Sequence, residues 1–299
     1  MHYNPELSIV IVNYNAKKYL EQCLGSIYKS SPQINFELIL IDNGSIDNST
    51  FMVKEKFPMV KLIENRKNEG FVKAVNKGIK LCKAKYVLSL NNDTFIYQNS
   101  LGELLKFMNS HPEVGICGPK VLNSNGTIQH QCKRGFPTIS SAFYYFLGLH
   151  KYFPKSKTFG HYLMTYLNPE EISEVDSVSG ACLMVKREII EQVGLLDEDY
   201  IMYGDDLDLC YRIKKIGLKV YYVPTAQIIH YGGVSSQKLP YKGVIWFYRA
   251  MYIFYKKHYA KKSNFVVSII VYSIILIKAI LALGINLLRR KKIVGSKKP

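Results

Sequence analysis

Two short runs of β-branched and aliphatic residues, "LSIVIVN" (7–13) and "FELILID" (36–42), constrain this chain more than any other feature. Neither alternates polar with apolar side chains, so both suit strands covered on both faces. Between them Leu20, Cys23, Leu24, Ile27 and Tyr28 recur at helical spacing, behind Asn15 as a candidate cap. A third strand is expected in "MVKLIE" (59–64) and a fourth in "YVLSL" (86–90). In the helix between these two, Val72, Val75, Ile79 and Cys82 share one face. Such alternation predicts an α/β domain: a mostly parallel sheet with right-handed crossovers and helices on both faces. Ligands bind such sheets beyond the carboxyl ends of the strands. Three of these strands end in polar clusters, "VNYN" (12–15), "DNGS" (42–45) and "NNDT" (91–94). One cluster of this kind is a turn; three on the same edge form the rim of a site.

From about residue 121 to 175 the pattern weakens into an aromatic run with several prolines, where loops and short helices are expected. Order returns with "VDSVSGACLMVKREIIEQVG", a strand leading into a helix. "YGDDLDLCYRIKKIG" then reads as a helix with an acidic start that stops at Gly217, and "LKVYYV" and "AQIIHYGG" read as two short strands. No G-x-G-x-x-G follows the first strand and no G-K-[ST] loop occurs, so dinucleotide and P-loop readings lack their motif. A divalent cation on one or two carboxylates, completed by a ligand's phosphates, serves instead, and Asp93 is the candidate carboxylate.

The charge is uneven. Of the net +17, residues 239–299 hold 13 Lys and Arg and no Asp or Glu, whereas the preceding 238 residues carry 27 basic and 23 acidic groups. A basic excess confined to a tail points to a local anionic partner, a membrane surface, and not to nucleic acid. The chain is therefore divided into an α/β domain, 1–238, and a basic, hydrophobic membrane-associating region, 239–299. The six cysteines are scattered without C-x-x-C or zinc spacing, as expected of reduced core residues in a cytosolic compartment. The first fifteen residues have no basic flank before a long apolar run, so no signal peptide is expected there.

Six segments occur in order: "SIVIVNYN", "LILIDNGSIDNS", "NEGFVKAVN", "YVLSLNNDT", "SGACLMVKR" and "YGDDLDLCYR". Together, over about residues 7–234, they resemble glycosyltransferase family 2, especially its rhamnosyltransferase-like branch of cell-surface polysaccharide enzymes. The resemblance implies a GT-A fold, a nucleotide-diphosphate sugar donor, a divalent cation (Mg²⁺ or Mn²⁺) and inversion at the anomeric carbon. It assigns Asp42 to the donor's base, although the same residue also suits an Asx turn. Asn68, Gly70 and Asn76 fall in the region lying along the nucleotide, where Gly70 also reads as a helix-start glycine. Asn13, Asn92 and Gly180 join the donor-binding set. Asp93 matches the last acidic position of the family's metal motif; Asn91 departs from the Asp-x-Asp form, which implies weak cation affinity without donor. Asp206 matches the general base that deprotonates the acceptor hydroxyl. Asp205 and Asp208 fall in supporting positions, and both suit a helix N-terminus on dipole grounds alone. His230 ends a strand where some relatives place a metal-reaching histidine; a satisfied core histidine is the competing reading. A nucleotidyltransferase and a non-catalytic nucleotide-sugar or glycan-binding relative are the rival functions, the first disfavoured because "NYNAKKYL" is no glycine-rich basic loop.

The acceptor implied is a lipid-linked glycan or other envelope polysaccharide precursor. "FVVSIIVYSIILIKAILALGINLL" (265–288) is long enough to cross a bilayer. Lys278 near its middle costs roughly 2.5 kcal/mol or more there, and basic clusters flank both ends, so orientation is undecided by charge. Because the donor is cytosolic, the favoured placement is in or re-entering the cytoplasmic face of the membrane. A span and a buried helix of the soluble domain are the alternatives.

Overall fold

The computed structural model describes residues 4–30, 33–232 and 240–288. The basic cluster "RRKK" and the rest of the tail therefore lie outside the described residues. In chain order the elements are β1 (Leu7–Asn13), α1 (Lys17–Ser30), β2 (Phe36–Asp42), α2 (Ser49–Lys56), β3 (Lys61–Glu64), α3 (Phe71–Ile79), β4 (Tyr86–Asn91) and β5 (Thr94–Ile96). Then come α4 (Ser100–Ser110), β6 (Val114–Leu122), β7 (Lys133–Arg134), α5 (Ile139–Phe146), α6 (Leu149–Tyr152), β8 (Ser173–Val175), β9 (Ser177–Val178) and β10 (Cys182–Lys186). The remainder are α7 (Arg187–Val193), α8 (Asp205–Lys215), β11 (Lys219–His230), α9 (Pro240–His258) and α10 (Phe265–Leu288).

The main sheet runs β3-β2-β1-β4-β10-β6-β11-β5, with β8 pairing β11. Its first half is parallel in register, Asn13 opposite Asp42 and Val12 opposite Asn91, so the three polar strand ends lie side by side. All seven residues of β1 are buried, as expected of a central strand with Ile9–Val12 apolar on both faces. The second half is mixed: β10 lies antiparallel between β4 and β6, and β5 pairs antiparallel with β11.

Two local expectations are corrected and one strand is added. "LKVYYV" and "AQIIH" are one strand, β11, whose pairing with β6 jumps between Val223 and Gln227. Pro224 has no N–H for the ladder, so it makes an irregularity where the sequence suggests a break. β6 is a fully buried strand that the sequence pattern does not announce, because Gly115, Gly118 and Pro119 punctuate it. The glycines serve close approach: a Cβ on Gly118 would stand 2.7 Å from Val178 Cβ, and one on Gly115 2.7 Å from Ile213 Cγ2. Finally, α1 starts after Asn15, whose Oδ1 instead accepts from the Ile46 amide at 2.8 Å. The Lys17 amide is satisfied from a distant loop, by Asp47 at 2.9 Å.

α9 docks on the body through buried Val244, Ala250, Ile253 and Phe254. α10 turns back along it, with Tyr255 Oη 3.1 Å from Ser268 Oγ and the Tyr252 and Tyr272 rings 5.0 Å apart. The reading of α10 as a buried core helix is overturned: none of its most apolar window is buried. All six cysteines are free thiols, five of them buried.

Candidate active site

The rim is held together by side chains. Asn13 Nδ2 donates to Asp42 Oδ2 at 2.9 Å, and Asn13 Oδ1 accepts from Asn92 Nδ2 at 2.8 Å. One buried asparagine thus joins the ends of β2, β1 and β4. Asp42 is 2% exposed, and its other oxygen accepts from the Ser45 amide at 2.8 Å, closing the Asx turn. The Asx turn is present, at the edge formed by the carboxyl ends of β1, β2 and β4.

The loop between β3 and α3 is pinned by Asn43, a residue the sequence reading did not single out. Asn43 Nδ2 donates to Asn68 Oδ1 and to the Gly70 carbonyl, while its Oδ1 accepts from Asn65 and from the Glu69 amide. Asn68 is exposed beside this knot. Gly70 has φ +93°, a conformation that favours glycine, so it does more than start a helix. Asn76 is corrected. It is 2% exposed and spent on the loop after α7, donating to the Leu196 carbonyl and accepting from the Leu196 amide, rather than lying along a nucleotide.

β5–β11 pairing sets His230 opposite Thr94 and brings His230 Nε2 to 3.2 Å from Asp93 Oδ1. The histidine's tautomer can be assigned from its neighbour. Gln129 Nε2 donates to the His230 carbonyl at 2.7 Å, which turns Gln129 Oε1 toward His230 Nδ1 at 3.1 Å. Nδ1 therefore carries a proton, and Nε2 lies 3.2 Å from Asp93 Oδ1 and 3.2 Å from Asn91 Nδ2. A carboxylate with an imidazole held from behind by an amide is a donor set that fits a divalent cation, Mn²⁺ in particular. No cluster of three or more His, Cys, Asp or Glu suited to a metal occurs among the described residues. Further ligands would have to come from water or from the phosphates of a bound molecule.

The acidic helix start of α8 lies against the same edge. The Asn91 amide donates to the Ala181 carbonyl at 2.9 Å, and the Gly180 amide beside it donates to Asp206 Oδ2 at 2.9 Å. A Cβ on Gly180 would stand 3.3 Å from Asp206 Cβ, so glycine is what lets the two segments meet. Asp206 Oδ2 also accepts from Arg134 Nη2 at 2.5 Å, with both side chains 13% exposed. Arg134 Nε is buried without a partner, Nη2 also donates to the Val178 carbonyl at 3.3 Å, and Asp206 supplies the counter-charge. Arg134 lies on β7, in the stretch where the sequence has no periodicity, and nothing there signalled it. Burial, and next the charge of Asp206, push the Asp205 carboxyl up to about 7. Asp208 is structural. Burial opposes its ionisation, yet bonds from His258 (2.7 Å) and Arg212 (2.8 Å) hold the carboxyl below its usual range and tie α8 to α9.

The site residues, except Asn76, thus gather at one edge of the sheet. Three comparisons bear on what such an edge does. Over 259 residues the chain is 28% identical to an N-acetylglucosaminyl-diphospho-decaprenol L-rhamnosyltransferase of Mycobacterium tuberculosis, covering 83% of each. Among solved structures, the mannosyltransferase PcManGT from Pyrobaculum calidifontis, in complex with GDP-Man and Mn²⁺, matches 95% of this chain and 73% of its own, with TM-score 0.59 and 17% identity. GalNAc-T7 with UDP, GalNAc and Mn²⁺ matches 83% and 51%, with TM-score 0.56 and 19% identity. These structures share the GT-A fold with the chain. The profile described as "Glycosyl transferase family 2" matches residues 8–194, more than half the sequence, and the chain belongs to that family.

Proposed function

We propose that this protein is an inverting, cation-dependent enzyme that transfers one sugar from a nucleotide-diphosphate donor to a hydroxyl of a lipid-linked glycan at the cytoplasmic face of the membrane. The observation that carries this reading is the pairing of Asp93 with His230 Nε2 on the edge where Gly180 holds Asp206. The relatives' names supply the rest: one acts on a decaprenol-linked diphosphate, and two were solved with Mn²⁺ and a nucleotide or nucleotide sugar.

In this reading Asp42, Asn13 and Asn92 shape the floor under the nucleotide, and the Asn43 knot holds Asn68 and Gly70 beside it. Asp93 and His230 would hold the cation, which when bound neutralises the charge developing on the departing diphosphate. Asp206 takes the proton from the acceptor hydroxyl as that oxygen bonds to the anomeric carbon and the bond to the diphosphate breaks. Attack opposite the leaving group inverts the configuration and needs no covalent enzyme intermediate. Arg134 fixes the Asp206 rotamer until the acceptor arrives. Residues 1–238 carry this chemistry, and 239–299 attach it to an anionic membrane surface, α9 serving as the strut between them.

A thermal-shift panel of nucleotide-diphosphate sugars, each with and without Mn²⁺, tests the reading. One donor should raise the melting temperature only with the cation, by mass action. A panel flat under both conditions would remove the donor site.

A further inference from the structure

We infer that the α5–α6 segment is a second membrane-contact element, so that the protein rests on an anionic bilayer through a two-part face with α10 lying in the plane of the surface. The inference rests on the reading of 239–299 as membrane-attached and adds to it a surface that no comparison assigns.

The first observation is where Lys278 goes. Its ammonium stands 4.0 Å from the centre of the Phe146 ring, on α5 of the globular body. Lys278 is near the middle of a 24-residue helix about 36 Å long at the helical rise. If α10 crossed a bilayer upright, its midpoint would sit roughly 15 Å below the surface, and α5 would be drawn in with it. α5 cannot follow. It is capped by Thr138, which accepts from the Ser141 amide, and rooted by the Phe136 amide on Asp176, two residues beyond Arg134, which bonds the candidate base. α10 also doubles back along α9, which is docked on the body. A helix fixed in this way lies along the body's surface, and its exposed stripe of Ile270, Ile274, Ile277 and Leu281 faces away.

The second observation is what α5–α6 presents beside it. Phe143, Leu147, Tyr152 and Phe153 are 56, 55, 78 and 52% exposed, a large apolar outlay for one short segment. Lys151, Lys155 and Lys157 are exposed next to them. Charge selects the occupant. Residues 114–169 contain no Asp or Glu, and neither does any position after Asp208. These two acid-free stretches meet at Lys278 and Phe146. Exposed aromatic rings beside lysines, on a stretch of chain without Asp or Glu, match the headgroup layer of an anionic membrane. The placement also serves the chemistry. β7 feeds directly into α5, so an acceptor whose lipid stays in the bilayer meets Arg134 and Asp206 where the chain leaves the surface.

The test uses the full-length chain on vesicles of phosphatidylglycerol and phosphatidylethanolamine, with part of the lipid brominated in its acyl chains. In a Trp246→Phe background, which removes the single native tryptophan, Phe153→Trp and Leu147→Trp report on α5–α6 and Phe265→Trp reports on α10. Quenching at all three positions is expected. In the otherwise native chain, Lys151→Gln, Lys155→Gln and Lys157→Gln together should weaken vesicle partitioning, on the order of a hundredfold at about one kcal/mol per cation. Quenching at 265 with none at 147 and 153 would overturn the second contact while leaving the membrane reading of α10 intact. No quenching at any position would overturn both. Residues 147 and 153 shielded in a dimer and unquenched would assign this face to a second copy of the chain and overturn the inference.

Discussion

Replacing Asp206 by Asn separates its two duties, because one is electrostatic and the other chemical. The carboxylate accepts from Arg134 Nη2 and the Gly180 amide through Oδ2, and from the Leu207 amide through Oδ1. An asparagine keeps only one acceptor oxygen. With that oxygen turned to Arg134 and Gly180, its NH₂ faces the Leu207 N–H and one bond is lost. The guanidinium, 13% exposed and with Nε already unpaired, also loses its counter-charge. Breaking a buried pair costs about 3–5 kcal/mol, and the retained bonds favour the lower figure. At about 2–4 °C per kcal/mol, the melting temperature should fall by roughly 6–12 °C. Release of nucleotide diphosphate at saturating donor should fall by about 10²- to 10⁴-fold, the usual range for loss of a general base. The double variant Asp206→Asn with Arg134→Met removes the stranded charge and should recover at least half of the stability, measured by urea unfolding, without recovering turnover. If turnover returns together with stability, Asp206 is an anchor for Arg134 and not the base.

Other outcomes follow from the same geometry. Asp93→Ala should abolish the Mn²⁺-dependent part of donor binding, and His230→Gln should weaken it about 10–100-fold; donor affinity insensitive to chelator in both variants would refute the cation site. Asp42→Ala releases Asn13 and Ser45 and should raise the donor's Kd more than it lowers kcat; the reverse pattern would place Asp42 at the reacting centre. Asn76→Ala should cost about 1–3 kcal/mol in unfolding experiments, leaving donor affinity unchanged. The raised pKa of Asp205 is a stability statement. Its contribution is fully present below the ordinary value of 3.8 and is lost as pH rises toward about 7, where a buried charge replaces a neutral acid. Asp205→Asn should therefore gain a few kcal/mol on the wild type across that window; a difference that does not vary with pH would show that the acid is not buried.

The sequence was most legible where local pattern and global fold agree. β1 and β2 are apolar over Ile9–Val12 and Leu38–Ile41 because a central parallel strand is covered on both faces, and their polar ends Asn13 and Asp42 lie side by side at the carboxyl edge. Asp93 and His230 could each be suspected, but only the β5–β11 pairing makes them neighbours, since 137 residues separate them. Arg134 was invisible: its partner lies 72 residues away and its two-residue strand carries no period. β11 was misread as two strands and β6 went unread because glycine and proline usually punctuate turns, whereas here they allow close packing and an irregular ladder. Asn76 was misplaced because an asparagine on a helix beside the site looks the same in sequence whether it faces a ligand or a loop.

The central claim is sugar transfer from a nucleotide diphosphate by a cation-assisted, inverting route. It is tested most directly by incubating the full-length protein with the donor chosen by thermal shift, Mn²⁺ and membrane lipid extract, then identifying both products. The expected result is nucleoside diphosphate together with a glycolipid whose new linkage is inverted at the anomeric carbon, neither appearing with chelator nor with Asp206→Asn. Release of pyrophosphate, or a product with retained configuration, would contradict it.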